Sequence, residues 1–448
     1  MPGKLREGFT TGSAATGAAL AALQLLRTGA APAVVQVPLP PFGNSQGKST
    51  RGKSTRDKNS QTQNSQAKHS RDKCGNGLPA PRGWLRLSIE NCAPGPAPEL
   101  AAAWADNAEG LADPPPPGII AMAHASIVKD GGDDPDATSG ARITATVVES
   151  AAAPADASPE ADEVADAAMP LSEDTAVAYP DHIIIKGGPG VGRVTMPGLP
   201  VPTGQAAINP VPRQQITYAL RAREQEFAAT PQGRTLTVFV SVPEGERLAH
   251  KTFNPRLGIE GGISILGTQG TVRPFSHDAW KATIEQGLAV ARATGCPCAC
   301  LTTGRRSERL LMERYPDLPE RCFVQVADFA RFSLQAVGSM GFERIIWGCF
   351  FGKLVKLAQG HPYTHAKDST LDMRALARLA SEAGADCADA VARCVTAAHA
   401  LELLLADSVG AHVIEQVAQQ AARTAHHFAG RPVNLHLFHT DGRELLAL

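Results

Sequence analysis

Nowhere in this 448-residue chain does an apolar run reach the roughly 18 residues that a membrane-spanning helix requires. The opening MPGKLREG is polar and lacks the apolar segment of a secretory signal. These absences predict a soluble, cytoplasmic protein without a membrane partner. Charge excess is missing too: the formal net charge is −1, which argues against a dedicated nucleic-acid binder. The nine cysteines are odd in number and lack C-x-x-C spacing, which suits reduced thiols rather than a disulfide framework. Cys296, Cys298 and Cys300 alternate in CPCAC and would share one face of a strand. They read as small buried hydrophobes, and no protein-held metal is expected. No Ser, His and Asp grouping suggests a nucleophilic triad.

What is present points to more than one domain, because 448 residues is long for a single core. Residues 43–77 repeat KSTR, RDK and NSQ with almost nothing apolar to bury, and read as a disordered insertion. Residues 91–118 and 150–178, rich in Ala, Pro and acid, read as surface excursions without sustained amphipathic periodicity. The first insertion contains Gly47-Lys48-Ser49-Thr50-Arg51-Gly52-Lys53-Ser54, a match to the phosphate-loop pattern. That motif needs a strand before it and a helix after it, and neither pattern is present. A phosphate-transfer enzyme is therefore a weak competitor.

Ordered elements are legible elsewhere. Ser13 to Arg27 predicts an Ala/Leu-rich helix, N-capped by Thr11 or Ser13 and closed by Gly29. Ile143–Val148, His182–Lys186 and Thr235–Val242 predict strands. From about 250 onward strands (Ile263–Leu266, Cys298–Thr302, Arg344–Trp347, Val433–His439) alternate with helices (Asp278–Thr294, Asp328–Met340, and others through the 370s to 420s). Such alternation implies a parallel sheet covered on both faces, with ligands beyond the strand carboxyl ends.

Four segments carry candidate chemistry. In KTFNPRLGIEGGISILGTQG (251–270), Gly258, Gly261, Gly262, Gly267 and Gly270 bracket a short apolar run, with Asn254, Arg256 and Glu260 just before it. Glycine on both sides of a short strand suggests either plain loops or ends that meet a ligand. Lys186-Gly187-Gly188-Pro189-Gly190-Val191-Gly192 follows an apolar strand and resembles the loop by which many methyltransferases cradle S-adenosylmethionine, although Thr195-Met196-Pro197-Gly198 breaks any following helix. Asp130, Asp133, Asp134 and Asp136 crowd four carboxylates into one loop. Their readings are a cation loop, a turn that caps backbone, or acceptors and a base near a substrate. Lys353 and Lys356 would share a helix face at i, i+3. His361 and His365 are separated by Pro362, which makes a paired-histidine metal site improbable.

Five blocks in one order resemble the CbiD family of cobalt-precorrin-5B (C1)-methyltransferases. They are LREGFTTGSAATGAALAAL (5–23), VKDGGDDPDATSGARITATV (128–147), KGGPGVGRVTMPGLPVPTGQAAINPVPRQQI (186–216), 251–270, and GKLVKLAQGHPYTHAKDSTLDMR (352–374). The resemblance implies an α+β and α/β architecture. An N-terminal α+β domain like the second domain of ribosomal protein S5 spans 1–248, and a C-terminal α/β domain with a mostly parallel sheet spans 249–448. It implies methylation of C1 of a cobalt-bound tetrapyrrole by S-adenosylmethionine, with the cobalt arriving on the substrate. The same fold as a non-catalytic scaffold for the corrinoid precursor is the alternative, and transient contact with neighbouring pathway enzymes is allowed for. The cofactor falls to Gly188, Gly190 and Gly192 or to Gly261, Gly262 and Gly267. Acid/base candidates are Asp130, Asp133, Asp134, Glu260 and His365. The carboxylate arms of the macrocycle call for basic and donor groups, for which Thr10, Thr11, Ser13, Arg213, Asn254, Arg256, Lys353 and Lys356 are the candidates, with Lys251, Arg305 and Arg306 beside them. Residues 251–270 would then form the hinge between domains and one wall of a cleft.

Overall fold

The computed structural model describes residues 5–42, 78, 80–106, 113–151, 182–227 and 233–448. The insertion at 43–77, its phosphate-loop match and nearly all of 150–178 lie outside them. Two compact units emerge: residues 1–195 with 200–275, and residues 196–199 with 276–448. The division falls at 275/276 rather than near 248, because 249–275 packs with the first unit.

The first unit opens with β1 (Gly8–Phe9) and α1 (Thr11–Thr28), then the antiparallel pair β2 (Val34–Phe42) and β3 (Pro81–Ser88). β4 (Asn91–Pro94), α2 (Pro98–Ala105), β5 (Ile119–Val128), β6 (Arg142–Ala151) and β7 (His182–Gly187) follow. Short strands β8 (Gly190–Val191) and β9 (Arg193–Val194) precede α3 (Pro210–Glu226), β10 (Arg234–Ser241) and α4 (Gly245–Ala249). β11 (Ile259–Glu260), β12 (Gly262–Ile263) and β13 (Thr271–Val272) complete it. The main sheet runs β4-β5-β6-β10-β7, antiparallel except for the β10–β7 pair.

Period-two alternation decides which helix each sheet face receives. Ile127, Ile143, Ala145, Val147 and Val238 face a core shared with α1 and α3. The next residues along, Val148 and Phe239, point the other way onto Leu100 of α2. Thus 91–118, expected as an excursion, supplies an edge strand and a covering helix. Its Ala-rich stretch ELAAAWA is too short to show periodicity, yet it buries Leu100 fully. From Thr11 to Ala19 every residue of α1 is small and buried, so this part of the helix lies close on its neighbours. Thr10 caps it by accepting from the Ser13 N–H, and Gly29 closes it in the left-handed region at φ 70°.

The second unit begins with α5 (His277–Ala293), β14 (Cys298–Thr302), α6 (Arg305–Arg314), β15 (Phe323–Gln325) and α7 (Ala330–Ser339). It continues with β16 (Arg344–Phe350), α8 (Phe351–Ala358), α9 (Met373–Glu382), α10 (Ala388–Ala392), α11 (Ala397–Ala406), α12 (Gly410–Ala429), β17 (Asn434–Phe438) and β18 (Glu444–Ala447). The sheet order is β15-β14-β16-β17-β18, parallel except for the last strand. All five residues of β14 are buried, as a strand covered on both faces requires. Cys298 and Cys300 share a face as expected, with Sγ atoms 3.9 Å apart, and no metal-binding group occurs among the described residues. Ile263–Leu266, expected to join this sheet, instead pairs within the first unit.

Candidate functional site

The order of the second sheet creates its own site. From β14 the chain moves outward to β15, then crosses back to β16 on the other side, so the strand order reverses between β14 and β16. Open parallel sheets bind ligands beyond the strand carboxyl ends at such a point. Thr303–Ser307, a two-residue turn and the first residues of α6, leaves β14 there, Phe350–Lys353 leaves β16, and His439–Thr440 leaves β17. All three segments line one cavity of about 590 Å³. That volume suits a drug-sized ligand.

The cavity has apolar walls, among them Phe350, Phe351, Leu371, Leu401 and Phe438, with Arg305, Arg306, Lys353 and Lys356 set among them. Arg306 donates to the Thr440 carbonyl and lies over the Phe350 ring, 5.5 Å from its centroid. Lys353 pairs with Asp328, whose carboxylate also accepts from Thr364 Oγ1 at 3.1 Å. Lys356 is only 7% exposed and donates to the Thr364 carbonyl at 2.9 Å. Burial, then repulsion by Lys353, pulls the Lys356 ammonium below the usual lysine range, and Asp328 opposes that shift. His439, also in the lining, sits between Glu402 (2.8 Å) and Asp441 (2.9 Å). The hydrogen bond to Glu402, then that to Asp441, raises its pKa, so the imidazolium is favoured.

Lys353 and Lys356 are therefore brought together on α8, as their spacing predicted. Arg305 and Arg306 join them at the end of β14. His365 stands on the following loop, half-exposed, with Nδ1 3.2 Å from Asp368 Oδ2. α8 ends at Ala358, so His361 and His365 do not share a helix face. Sequence reasoning missed Asp328, Thr364, Glu402 and His439. Asp328 follows a strand of only three residues, and His439 comes just after the last parallel strand, a position that sequence order alone does not mark.

The other predicted residues lie in the first unit, and its own backbone engages most of them. The segment 188–195 interlocks with 258–265: β12 pairs with β8, and β11 with β9. A Cβ on Gly190 would stand 1.8 Å from the Val242 carbonyl, and one on Gly262 2.1 Å from the Gly190 carbonyl. Gly188, Gly192 and Gly267 would likewise strike Ser241, Ile259 and Thr10. Among the expected cofactor glycines, Gly261 alone has open space. Close approach of protein to protein, not room for a ligand, explains the other five.

The amino end of α1 is filled in the same way. Gly12 N–H donates to the Leu266 carbonyl (3.1 Å), Thr10 N–H to the Gly270 carbonyl (3.1 Å), and Ser13 Oγ also to the Gly270 carbonyl (2.8 Å). Thr11 Oγ1 accepts from Leu266 N–H at 2.9 Å. The expected free donors of Thr10, Thr11 and Ser13 thus cap the loop 266–270. Asn254 is buried and donates to the Gly262 carbonyl at 3.4 Å. Arg213 donates to the carbonyls of Ile208 (3.0 Å) and Ile185 (2.9 Å). Arg256 is half-buried beside these in its short turn, and Glu260 is exposed, accepting from Thr195 Oγ1 at 3.3 Å.

The aspartate loop resolves toward the backbone-capping reading. Asp130 pairs with the Arg6 side chain, Asp133 accepts from Arg6 N–H (2.7 Å) and Asp134 from Phe275 N–H (2.9 Å). The Arg6 hydrogen bond, then that of Gly132 N–H, holds the Asp130 carboxyl below its usual range. Asp136 pairs with Lys129, which is buried.

A mostly parallel sheet with an apolar, cation-bearing pocket at its switch point has the chemistry to hold a small organic anion. Matches to known proteins make this specific. Residues 1–74 and 120–274 match the family model CbiD, and residues 363–447 match the model of the CbiD C-terminal domain. A protein of Nitratidesulfovibrio vulgaris named cobalt-precorrin-5B C(1)-methyltransferase is 44% identical over 445 residues, which is 98% of this chain and 92% of that protein. Proteins of the same name from Geobacillus thermodenitrificans (46% over 59% of this chain and 63% of that protein) and Priestia megaterium (41% over 68% and 71%) agree. A solved structure of a cobalamin biosynthesis protein (cbiD) from Archaeoglobus fulgidus is 19% identical over 79% of each chain, with a TM-score of 0.31, a likeness too distant to build on. The chain belongs to the CbiD family.

Proposed function

We propose that this chain transfers a methyl group from S-adenosylmethionine to C1 of cobalt-precorrin-5B, giving cobalt-precorrin-6A during corrin-ring biosynthesis. The observation that carries this reading is the match, across both units, to a relative named for that reaction. S-adenosylmethionine supplies an already electrophilic sulfonium methyl. The chain therefore has to align two partners rather than provide a nucleophile. Alignment of this kind can remove on the order of 7–11 kcal/mol from a barrier. The cobalt belongs to the substrate.

The residues fit that division of labour. Arg305, Arg306, Lys353 and Lys356 offer positive charge to carboxylates, and the aromatic and aliphatic walls offer apolar surface to the rest of a ligand. Glu260 and His365, exposed and half-exposed, keep a proton-handling role in this reading. Asp130, Asp133 and Asp134 are assigned to holding the loop. The five-stranded sheet with α1 and α3 on one face supports the likeness to the second domain of ribosomal protein S5. No helix among the described residues is long and apolar enough to cross a membrane, which is consistent with a cytoplasmic site of action.

The test is incubation with cobalt-precorrin-5B and methyl-labelled S-adenosylmethionine. Label appearing at C1 of the product supports the reading. Binding of the tetrapyrrole without transfer would replace it with a scaffold.

A further inference from the structure

The geometry points to the switch-point pocket of the second unit as the S-adenosylmethionine site, with Lys356 holding the α-carboxylate of its methionine portion. This assignment rests on the methyltransferase reading and goes beyond it, because sequence alone placed the cofactor on glycine loops of the first unit. Those loops have little room: five of the six glycines expected to cradle it already touch protein atoms where a Cβ would stand.

The pocket shows the complementary properties. Its volume, about 590 Å³, matches a nucleoside-sized ligand rather than a tetrapyrrole with all its carboxylate arms. Its walls are largely aromatic and aliphatic, as an adenine and a thioether would require. Inside lies an unbalanced charge. Lys353 and Lys356 stand together beside one carboxylate, and Asp328 is already engaged by Lys353 and Thr364. The Lys356 ammonium is left with the Thr364 carbonyl, a neutral acceptor. A buried cation without a counter-ion is costly and calls for an anion. The other carboxylate in the wall, Glu402, bonds to His439. A carboxylate carried on the ligand is the partner that restores neutrality.

Aliphatic carboxylates also decorate the tetrapyrrole, so the test separates the two sources. Two probes are titrated calorimetrically into the full-length protein: S-adenosylhomocysteine, which carries the α-carboxylate, and methylthioadenosine, which keeps the nucleoside thioether but lacks the whole amino-acid portion, α-carboxylate included. In Lys356→Met, affinity for S-adenosylhomocysteine should fall by about 10- to 100-fold, the size of one charge-assisted hydrogen bond, while methylthioadenosine stays within about 2-fold. Leu401→Trp, which fills the cavity, should remove both. Unchanged S-adenosylhomocysteine affinity in either variant overturns the assignment. So does equal loss of both probes in Lys356→Met, or a rise confined to the KM for cobalt-precorrin, which would give Lys356 to the substrate. If the wild type binds S-adenosylhomocysteine yet transfers no methyl, the functional reading fails while the pocket stands.

Discussion

Replacing Gly190 by alanine tests whether the glycine signature is architecture or cofactor cradle. Gly190 sits at φ 76°, a conformation that costs an L-residue about 1–2 kcal/mol. Its new Cβ would stand 1.8 Å from the Val242 carbonyl oxygen. That oxygen cannot simply retreat, because it accepts from Gly245 N–H at 2.7 Å while Val242 N–H donates to the Pro189 carbonyl at 2.8 Å. Overpacking of this kind adds about 1–3 kcal/mol, for a total near 2–5 kcal/mol. The first-unit transition should then fall by about 5–15 °C in a melt followed by circular dichroism. Gly261 is the control: it shares φ 76°, but a Cβ there would meet nothing within 4 Å. Gly261→Ala should cost only the conformational share, about 1–2 kcal/mol. Both variants, held where they remain folded, should bind S-adenosylhomocysteine like the wild type. A Gly190→Ala protein that melts normally but no longer binds it would refute the reasoning.

Four further outcomes are expected. Arg27→Met should destabilise the first unit by about 3 kcal/mol in urea titrations, because it removes the guanidinium that lies 3.0 and 2.8 Å from the buried carboxylates of Glu149 and Glu224, while Arg234, 3.2 Å from Glu149, stays in place. Asp136 is held below its usual carboxylate pKa of 3.8: burial, the largest effect, would raise it, but the charge and hydrogen bonds of Lys129 and Thr138 outweigh it. Its contribution is present above that usual value and is lost as pH falls through the lower folded value. The stability gap between wild type and Asp136→Asn should therefore be widest near neutrality and close in acid, as read from denaturation midpoints at stepped pH. Leu311→Ala, at a fully buried position of α6, should cost about 2–5 kcal/mol of second-unit stability. Deletion of 43–77 should leave methyl transfer within a few-fold, and complete loss of folded protein would contradict that.

The fold was legible where periodicity and composition agree. Cys298–Thr302 is a strand at the expected limits, and the helix expected over Asp278–Thr294 runs His277–Ala293. Ile263–Leu266 misled because its apolar run reads as a core strand. Only its first residue, Ile263, joins a strand, the two-residue Gly262–Ile263 that pairs with Gly190–Val191 in another sheet. α2 was missed because eight residues give too little periodicity to register. Of the site, Lys353 and Lys356 were legible from their helical spacing. Glycine was the treacherous signal: Gly190 and Gly262 look like room for a ligand, but the fold puts the Val242 backbone in the first space and the Gly190 backbone in the second. Glu402 and His439 lie 37 positions apart, and only the fold brings them within hydrogen-bond distance.

The central claim is methyl transfer at C1, and the most direct measurement follows a carbon-labelled methyl group from S-adenosylmethionine into cobalt-precorrin-5B by nuclear magnetic resonance. The account predicts one new methyl signal assigned to C1, together with stoichiometric S-adenosylhomocysteine. Tetrapyrrole that binds but returns unlabelled, or label appearing at another carbon, would contradict it.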